Sequence, residues 1–167
     1  MSLRRSRLTR QGFTLLELLV VMAIVGTLVG VIGYFSYRWT QTTRLREAAY
    51  QVITDLRRAR SQAQLTSAGS VVALCGTSGP CASAANPVTG YVTNWGGTGS
   101  GARTLPYGVK IGNAVGNNAL TYTAPYAEVD APTGTVWTLT SPVTGIPPIY
   151  IKVVGVTGKV SLSASLN

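Results

Sequence analysis

The chain has 167 residues, of which 46% are hydrophobic, and its 14 lysines and arginines outnumber its five aspartates and glutamates, giving a formal net charge of +9. It has two cysteines and no histidine. This inventory argues against an enzyme, a metal protein or a cofactor protein, because it has too few ligands for a closed zinc site and its hydroxyl and thiol groups have no evident base partner.

The first element is an arginine-rich leader followed by a long apolar segment. Residues 1–12 include four arginines, and the segment from Phe13 to Tyr37 is apolar or small except for Glu17. Its length exceeds the roughly 20 residues with which a helix crosses the bilayer core. We therefore predict a membrane helix over residues 13–37.

Glu17 is the charged exception within this segment. A charge at the centre of a membrane helix costs about 2.5–3.5 kcal/mol on insertion scales. The carboxylate therefore either reaches water at the interface or has a partner. An ordinary secretory signal is disfavoured, since aromatic residues rather than a small-residue cleavage site follow the apolar run.

The junction GFTLLEL, residues 12–18, closely resembles the processing signal of type IV pilins and pseudopilins. In that family a prepilin peptidase cuts after the glycine on the cytoplasmic side. The resemblance implies cleavage between Gly12 and Phe13, N-methylation of Phe13, and a role for Glu17 in assembly. The carboxylate would neutralise the new amino terminus of a neighbouring subunit and so set the axial register of a filament.

The same resemblance implies a location and a set of partners. The protein would be a single-pass protein of the inner (cytoplasmic) membrane, with a cytoplasmic amino terminus and a periplasmic head, and would later enter a pilus or pseudopilus. Charge alone orients the helix less clearly, because arginines lie on both flanks. The expected partners are other pilins or pseudopilins, prepilin peptidase, the inner-membrane assembly platform and membrane lipid.

A second, amphipathic half of the helix is predicted over residues 38–68, because residues 38–65 contain neither glycine nor proline. Taken from Phe13 to Thr66, such a helix extends roughly 80 Å. Apolar residues at helical spacing form a stripe about 100° wide, which predicts packing against a sheet. The stripe comprises Leu45, Ala48, Ala49, Val52, Leu56, Ala59 and Ala63, whereas Arg46, Glu47, Asp55, Arg57 and Arg58 are placed outside it.

Two glycines of the membrane half, Gly26 and Gly30, have the small-xxx-small spacing that permits close approach of two helices. Glycine is also simply commoner in membrane helices than in soluble ones. Both interpretations stay open.

Residues 69–167 have the pattern of a β-rich head, with short β-branched runs separated by glycine, proline, asparagine and serine. Together with the helix they predict an α+β fold with antiparallel strands. The glycine-rich segment 96–101 lacks the lysine-threonine ending and following helix of a phosphate-binding loop, and is interpreted as a hairpin connection. Strands are predicted at residues 70–75, 90–95, 104–111, 119–124, 135–141, 149–156 and 159–164, the last two as a hairpin.

Other segments of the chain resemble one particular branch of the pilin-like proteins. The segments DLRRARSQA (55–63) and VVALC (71–75) are similar to the helix–strand junction of the GspH/FimT group of pseudopilins and minor pilins. Weaker motifs extend this similarity over nearly the whole chain. The resemblance implies a long amino-terminal α-helix packed on a carboxyl-terminal antiparallel β head of two small sheets.

The cysteines, Cys75 and Cys81, flank a turn-rich loop and are predicted to form a disulfide in an oxidising compartment. Closing so short a loop adds only about 2 kcal/mol by the chain-entropy model, so the bridge would fix one loop. Two free thiols are the alternative.

The resemblance implies a structural subunit, a minor pilin or pseudopilin of a type IV pilus or a type II secretion pseudopilus, which promotes fibre assembly and protein secretion. The alternative is a DNA-binding minor pilin acting in natural transformation, since FimT-like proteins are linked to DNA through basic residues near the carboxyl terminus. Here only Lys152 and Lys159 are candidates. So few cations predict weak, salt-sensitive binding.

The head has one carboxylate pair, Glu128 and Asp130, whose spacing would place both on the same side of an extended segment. Such a pair could take part in cation binding or acid–base chemistry. Calcium needs six or more oxygen ligands, so we interpret the pair as a solvated face.

Overall fold

Helix α1 begins at Leu15 and ends at Thr66, and the predicted long helix is therefore present. The computed structural model describes residues 14–74, 87–96, 100–131 and 133–166. The chain divides into two compact units, Met1–Arg38 and Trp39–Asn167, and α1 contributes to both.

The described part of the first unit is the apolar half of α1. All of its large hydrophobic side chains are exposed, from Leu15 at 79% to Tyr37 at 54%. By length and composition, α1 is the one helix among the described residues that is able to cross a membrane.

The second unit contains two antiparallel sheets, as predicted. The five-stranded sheet has the order β3-β2-β1-β5-β6, and the four-stranded sheet has the order β4-β7-β8-β9. Backbone hydrogen bonds also join Val88, which lies outside the strands, to Ile111 of the four-stranded sheet. The strands are β1 (Ser70–Leu74), β2 (Gly90–Trp95), β3 (Ser100–Thr104), β4 (Lys110–Val115), β5 (Ala119–Thr123), β6 (Glu128–Val129), β7 (Thr135–Thr140), β8 (Ile149–Val154) and β9 (Lys159–Ser163).

The prediction of one strand over residues 104–111 is wrong. β3 ends at Thr104, a short 3-10 turn follows at Pro106–Gly108, and β4 then begins in the other sheet. Tyr107 and Gly108 have φ angles of 59° and 68°, left-handed values that interrupt an extended strand. The predicted connection 96–101 overlaps the start of β3, whose serine, glycine and alanine give no hydrophobic alternation.

The predicted stripe of α1 is buried against the sheets, with every one of its seven residues at most 1% exposed. Four of them are alanines, whose small side chains permit close approach of helix and sheet. Trp137, Tyr91 and Tyr122 are the largest side chains of the same core. All described buried residues lie within the second unit, so a fragment of residues 39–167 contains all of them.

Asp55 corrects the sequence-based assignment of the helix faces. It was placed outside the buried stripe, yet it is only 7% exposed. Its carboxylate has partners on the five-stranded sheet, which are described below.

Candidate functional site

The amino-terminal end of α1 places Glu17 in its first turn. The Glu17 backbone N–H donates to the Thr14 hydroxyl oxygen at 3.2 Å. Thr14 and Glu17 thus have the Thr-x-x-Glu spacing of a capping box. A negative charge in the first turn also interacts favourably with the helix dipole. Sequence reasoning missed this local role, although the spacing is visible in the sequence.

Gly26, Gly30 and Gly33 would accept a side chain without contact inside this chain. A Cβ atom at each position has no neighbour within 4 Å. No intramolecular packing among the described residues therefore requires glycine at these positions.

Four of the predicted site residues lie outside the described residues: Gly12, Phe13, Cys75 and Cys81. The cleavage site, the N-methylation and the disulfide stay predictions.

The strongest polar cluster joins α1 to the five-stranded sheet. The Tyr91 hydroxyl donates to Asp55 Oδ2 at 2.6 Å, and Arg103 Nε lies 3.7 Å from the same oxygen. Gln51 donates through Nε2 to Tyr91 Oη at 3.4 Å. A buried carboxylate is tolerated only with such partners, so the cluster fixes the position of α1 on β2 and β3.

This environment raises the pKa of Tyr91 well above its usual value. Burial is the main cause, and the hydrogen bond to Asp55 adds to it, whereas Gln51 and Arg103 act in the opposite direction. The Tyr91 hydroxyl is therefore a permanent donor at physiological pH rather than an acid–base group.

A second aromatic contact holds the turn between β3 and β4 on the helix. The Tyr107 hydroxyl donates to Glu47 Oε2 at 3.0 Å, which raises the pKa of Tyr107. The guanidinium of Arg44 lies 5.0 Å from the centre of the same ring. This cation–π contact is exposed to solvent, so its stabilising effect is small.

A cavity of about 430 Å³ between α1 and β9, which we call the basic groove, is lined by residues from distant parts of the sequence. Arg57 and Arg60 come from the helix, and Lys159 is the first residue of β9. Sequence reasoning missed this convergence because about 100 residues separate the two segments. The groove is lined by Arg57, Arg60, Ser61, Gln64, Gly158, Lys159 and Val160.

Tyr122 lies beneath the basic groove. A Cβ atom at Gly158 would be 2.9 Å from Tyr122 Cε1, so the glycine packs directly on this ring. The Tyr122 hydroxyl is buried and has no hydrogen-bond partner among the residues that the structure describes. Burial raises the pKa of Tyr122 to about 12, against an opposing effect of Arg60.

A smaller cavity of about 220 Å³, the apolar cavity, lies near the other end of β9. Its apolar part comes from Tyr50, Ile149 and Leu162, and Arg46 is its one cation. The remaining lining residues are Ser163 and Ala164.

Lys152 and Lys159, the sequence-based candidates for DNA contact, lie on neighbouring strands. In the ladder Lys152 is opposite Ser161, and Val154 is opposite Lys159. Alternation along the strands places both lysines on the face of the sheet that points away from buried Ile151. The structure thus brings the two lysines to one face.

The carboxylates Glu128 and Asp130 are both exposed. Asp130 Oδ1 accepts the backbone N–H of Thr121 at 3.1 Å and thereby closes the β5–β6 connection. The described residues include no group of three or more metal-ligating side chains.

Two comparisons with known proteins find a match, one by sequence motif and one by fold. Residues 7–33 match the family model of the prokaryotic N-terminal methylation motif. The fold is similar to the crystal structure of the Pseudomonas aeruginosa type IV minor pilin FimU, with a TM-score of 0.50 and 15% sequence identity over 71% of this chain and 91% of that one. No curated protein matches the chain by sequence.

At this level of identity the likeness to FimU shows the fold, one long amino-terminal helix with an antiparallel β domain of two sheets. This is a pilin fold, and with the methylation motif it supports the type IV pilin-like superfamily. The motif and the fold indicate a structural protein. The motif and the apolar helix suggest membrane anchoring.

Proposed function

We propose that this protein is a minor pilin or pseudopilin, which is anchored in the inner membrane and then enters a fibre through its amino-terminal helix. The observation that carries the proposal is the match of residues 7–33 to the methylation motif at the start of an apolar helix. Prepilin peptidase would cut between Gly12 and Phe13 and leave Phe13 to be N-methylated.

The exposure of the apolar half of α1 supports this role. Its leucines and valines are about half exposed or more all round the helix. A helix that is apolar on every side is stable in a membrane or within a bundle of other helices. Both environments occur in turn when a subunit moves from the lipid bilayer into a fibre.

Glu17 has two roles in this proposal, and substitutions can separate them. The Thr-x-x-Glu spacing would let its side chain cap the first turn of α1, whereas in assembly its charge would pair with the amino terminus of the next subunit. Glutamine also serves in a capping box but carries no charge. Glu17→Gln therefore removes the second role while it leaves the first in place.

The test is fibre assembly in a host that carries the protein, with Glu17→Gln, Glu17→Ala and Thr14→Val. We expect all variants to be processed, as seen by the shift in electrophoretic mobility, and both Glu17 variants to lose sheared-fibre yield. Thr14→Val keeps the charge and should assemble. Normal assembly of Glu17→Gln would refute charge pairing, and normal assembly of both Glu17 variants would refute the proposed function.

The finer assignment is to the GspH/FimT group, in a type IV pilus or a type II secretion pseudopilus, with a periplasmic head that supports assembly and protein secretion. The similarity of residues 55–63 and 71–75 to that group supports it. In the oxidising periplasm Cys75 and Cys81 would be bridged. Alkylation of the unfolded protein before and after reduction measures this directly, and two thiols already reactive before reduction would contradict it.

A second candidate function is DNA binding, and the common face of Lys152 and Lys159 favours it. Binding of a DNA duplex by residues 39–167 should fall steeply as salt rises, since it depends on phosphate neutralisation. The double variant Lys152→Ala/Lys159→Ala should abolish it, whereas Lys110→Ala, on the opposite edge of the same sheet, should not. Absence of binding near physiological salt would exclude this candidate.

A further inference from the structure

The arginines of α1 within the second unit fall into two groups. Arg44 and Arg58 lie over the rings of Tyr107 and Trp95, with 5.0 and 5.3 Å from guanidinium carbon to ring centre. The other three have neither an ion pair nor a ring contact with any residue that the structure describes. They are Arg46, Arg57 and Arg60, which we call the arginine stripe.

The arginine stripe occupies one side of the helix. At 3.6 residues per turn, its three members lie within about 60° of one another, and Arg58 is about 100° away. All three line cavities beside β9, two in the basic groove and one in the apolar cavity. The helix therefore presents its unpaired charge to a single strand.

Strand β9 forms one edge of the four-stranded sheet. It pairs with β8 in an unbroken register from Lys159 to Ser163, so its other side has no strand partner in the described sheet. Such an edge can receive an additional strand through backbone hydrogen bonds. The opposite edge, β4, has a register irregularity between Asn113 and Val115 and already contacts Val88.

From these observations we infer that the arginine stripe and the β9 edge bind an acidic, extended segment of a neighbouring subunit that differs from this one. Carboxylates of that segment pair with Arg57 and Arg60 in the basic groove, and its apolar side chains contact Tyr50 and Leu162 in the apolar cavity. The inference rests on the proposed role as a fibre subunit.

Charge argues against a second copy of this chain as the occupant. Residues 39–167 carry nine basic and four acidic side chains, a net charge of +5. Asp55 is buried, Glu47 accepts from Tyr107 and Asp130 accepts from Thr121, so Glu128 alone remains for a partner. A head-to-head contact at this surface would therefore bring cations together without enough carboxylates.

The apolar part of the surface argues for a peptide rather than a nucleic acid. Nucleic acids bind through phosphate contacts to a basic patch with stacking aromatics. Here Val160, Ile149 and Leu162 line the cavities between the cations, and aliphatic side chains of this kind suit a peptide with alternating carboxylate and apolar residues.

The experiment compares two probes on the fragment of residues 39–167. One is a fluorescent decapeptide of alternating glutamate and valine, and the other is a DNA duplex of about 20 base pairs. We expect the peptide to bind more tightly than the duplex at the same salt concentration. Arg57→Glu/Arg60→Glu should weaken peptide binding about tenfold or more, as two reversed ion pairs predict.

Lys110→Glu/Lys152→Glu is the matched control, since it makes the same change in net charge away from the helix. Equal weakening by both double variants would show non-specific attraction and overturn the inference. Tighter binding of the duplex, or no peptide binding, would also overturn it. Near-ultraviolet circular dichroism of the variants should match that of the parent, because Arg57 is exposed and Arg60 is partly exposed.

Fibre assembly of the full chain separates this inference from the proposed function. Arg57→Glu/Arg60→Glu should lower fibre yield, and Lys110→Glu/Lys152→Glu should not. If Glu17→Gln is defective while the arginine variant assembles normally, the inference fails and the proposed function stands. If the arginine variant, Glu17→Gln and Glu17→Ala all assemble normally, the proposed function fails as well.

Discussion

Removal of the Tyr91 hydroxyl by Tyr91→Phe tests how much the buried cluster stabilises the helix on the sheet. The hydroxyl donates to Asp55 Oδ2 at 2.6 Å, a short hydrogen bond to a carboxylate. The substitution changes no apolar contact of the ring, which is only 1% exposed. Any loss of stability therefore comes from the hydrogen bond and from the carboxylate that loses its donor.

The expected loss is about 1.5–3 kcal/mol, the range for hydrogen bonds to charged groups. After the substitution Asp55 keeps Arg103 at 3.7 Å, but that side chain is 46% exposed and compensates only partly. With a urea dependence of about 2 kcal/mol per M, the midpoint should fall by about 1 M.

Tyr122→Phe is the matched control in the same core. Tyr122 is fully buried like Tyr91, but its hydroxyl has no hydrogen-bond partner. Removing an unsatisfied buried hydroxyl is neutral or slightly stabilising. Urea unfolding of residues 39–167 at neutral pH, followed by the fluorescence of buried Trp137, measures both variants.

Equal destabilisation by Tyr91→Phe and Tyr122→Phe would refute the reasoning, because it would mean that loss of a hydroxyl at either position has a common cause. A loss below about 0.5 kcal/mol for Tyr91→Phe would mean that solvent or Arg103 replaces the donor.

Three further predictions concern pH, a turn and the apolar helix. Burial raises the pKa of Tyr122 from 10.0 to about 12, so the stabilisation of the folded state by its protonated hydroxyl is complete below pH 10 and is lost between pH 10 and 12. Tyr122→Phe should therefore reduce the alkaline loss of unfolding free energy by up to about 3 kcal/mol, and identical pH profiles of the two proteins would contradict this. Gly158→Ala should destabilise the head by at least about 2 kcal/mol, because φ is +60° and the new Cβ would lie 2.7 Å from Val129 Cγ2. Gly145→Ala is the control, since φ is +82° there but the new Cβ would have no neighbour within 4 Å, and it should destabilise the head by about half as much in the same urea assay. Gly30→Leu should leave head stability unchanged but lower fibre yield by blocking close helix approach, and the neighbouring Val29→Leu should assemble normally; equal yields would show that no helix packs at Gly30.

Sequence periodicity predicted the helix and its buried stripe because each contact repeats within three or four residues. The burial of Asp55 in α1 was not predictable in this way, because its partners Tyr91 and Arg103 are 36 and 48 positions away and lie in β2 and β3. A charged residue beside Arg57 and Arg58 has the pattern of a solvated face.

The strands show the same dependence on distance. Those rich in valine, isoleucine and threonine were placed within a residue or two of their observed bounds. β3 and the break at Tyr107 were not, because a left-handed φ at a tyrosine has no compositional signal. The basic groove was not predicted for a related reason, because only the packing of β9 beside α1 places Lys159 in the lining of the same cavity as Arg57 and Arg60.

The chain alternates between the two sheets, and this order affects how the head can fold. β4 belongs to the four-stranded sheet but precedes β5 and β6 of the five-stranded sheet, so the strands of the two sheets are interleaved along the chain. No single cut separates them, and among the described strands β4 has only β7 as its neighbour in the sheet, which begins 20 residues after β4 ends, at Thr135. If the head crosses a membrane while the amino terminus stays behind, as the proposed function implies, β4 would emerge before its partner, and folding of the head would be limited by pairings that are distant in sequence.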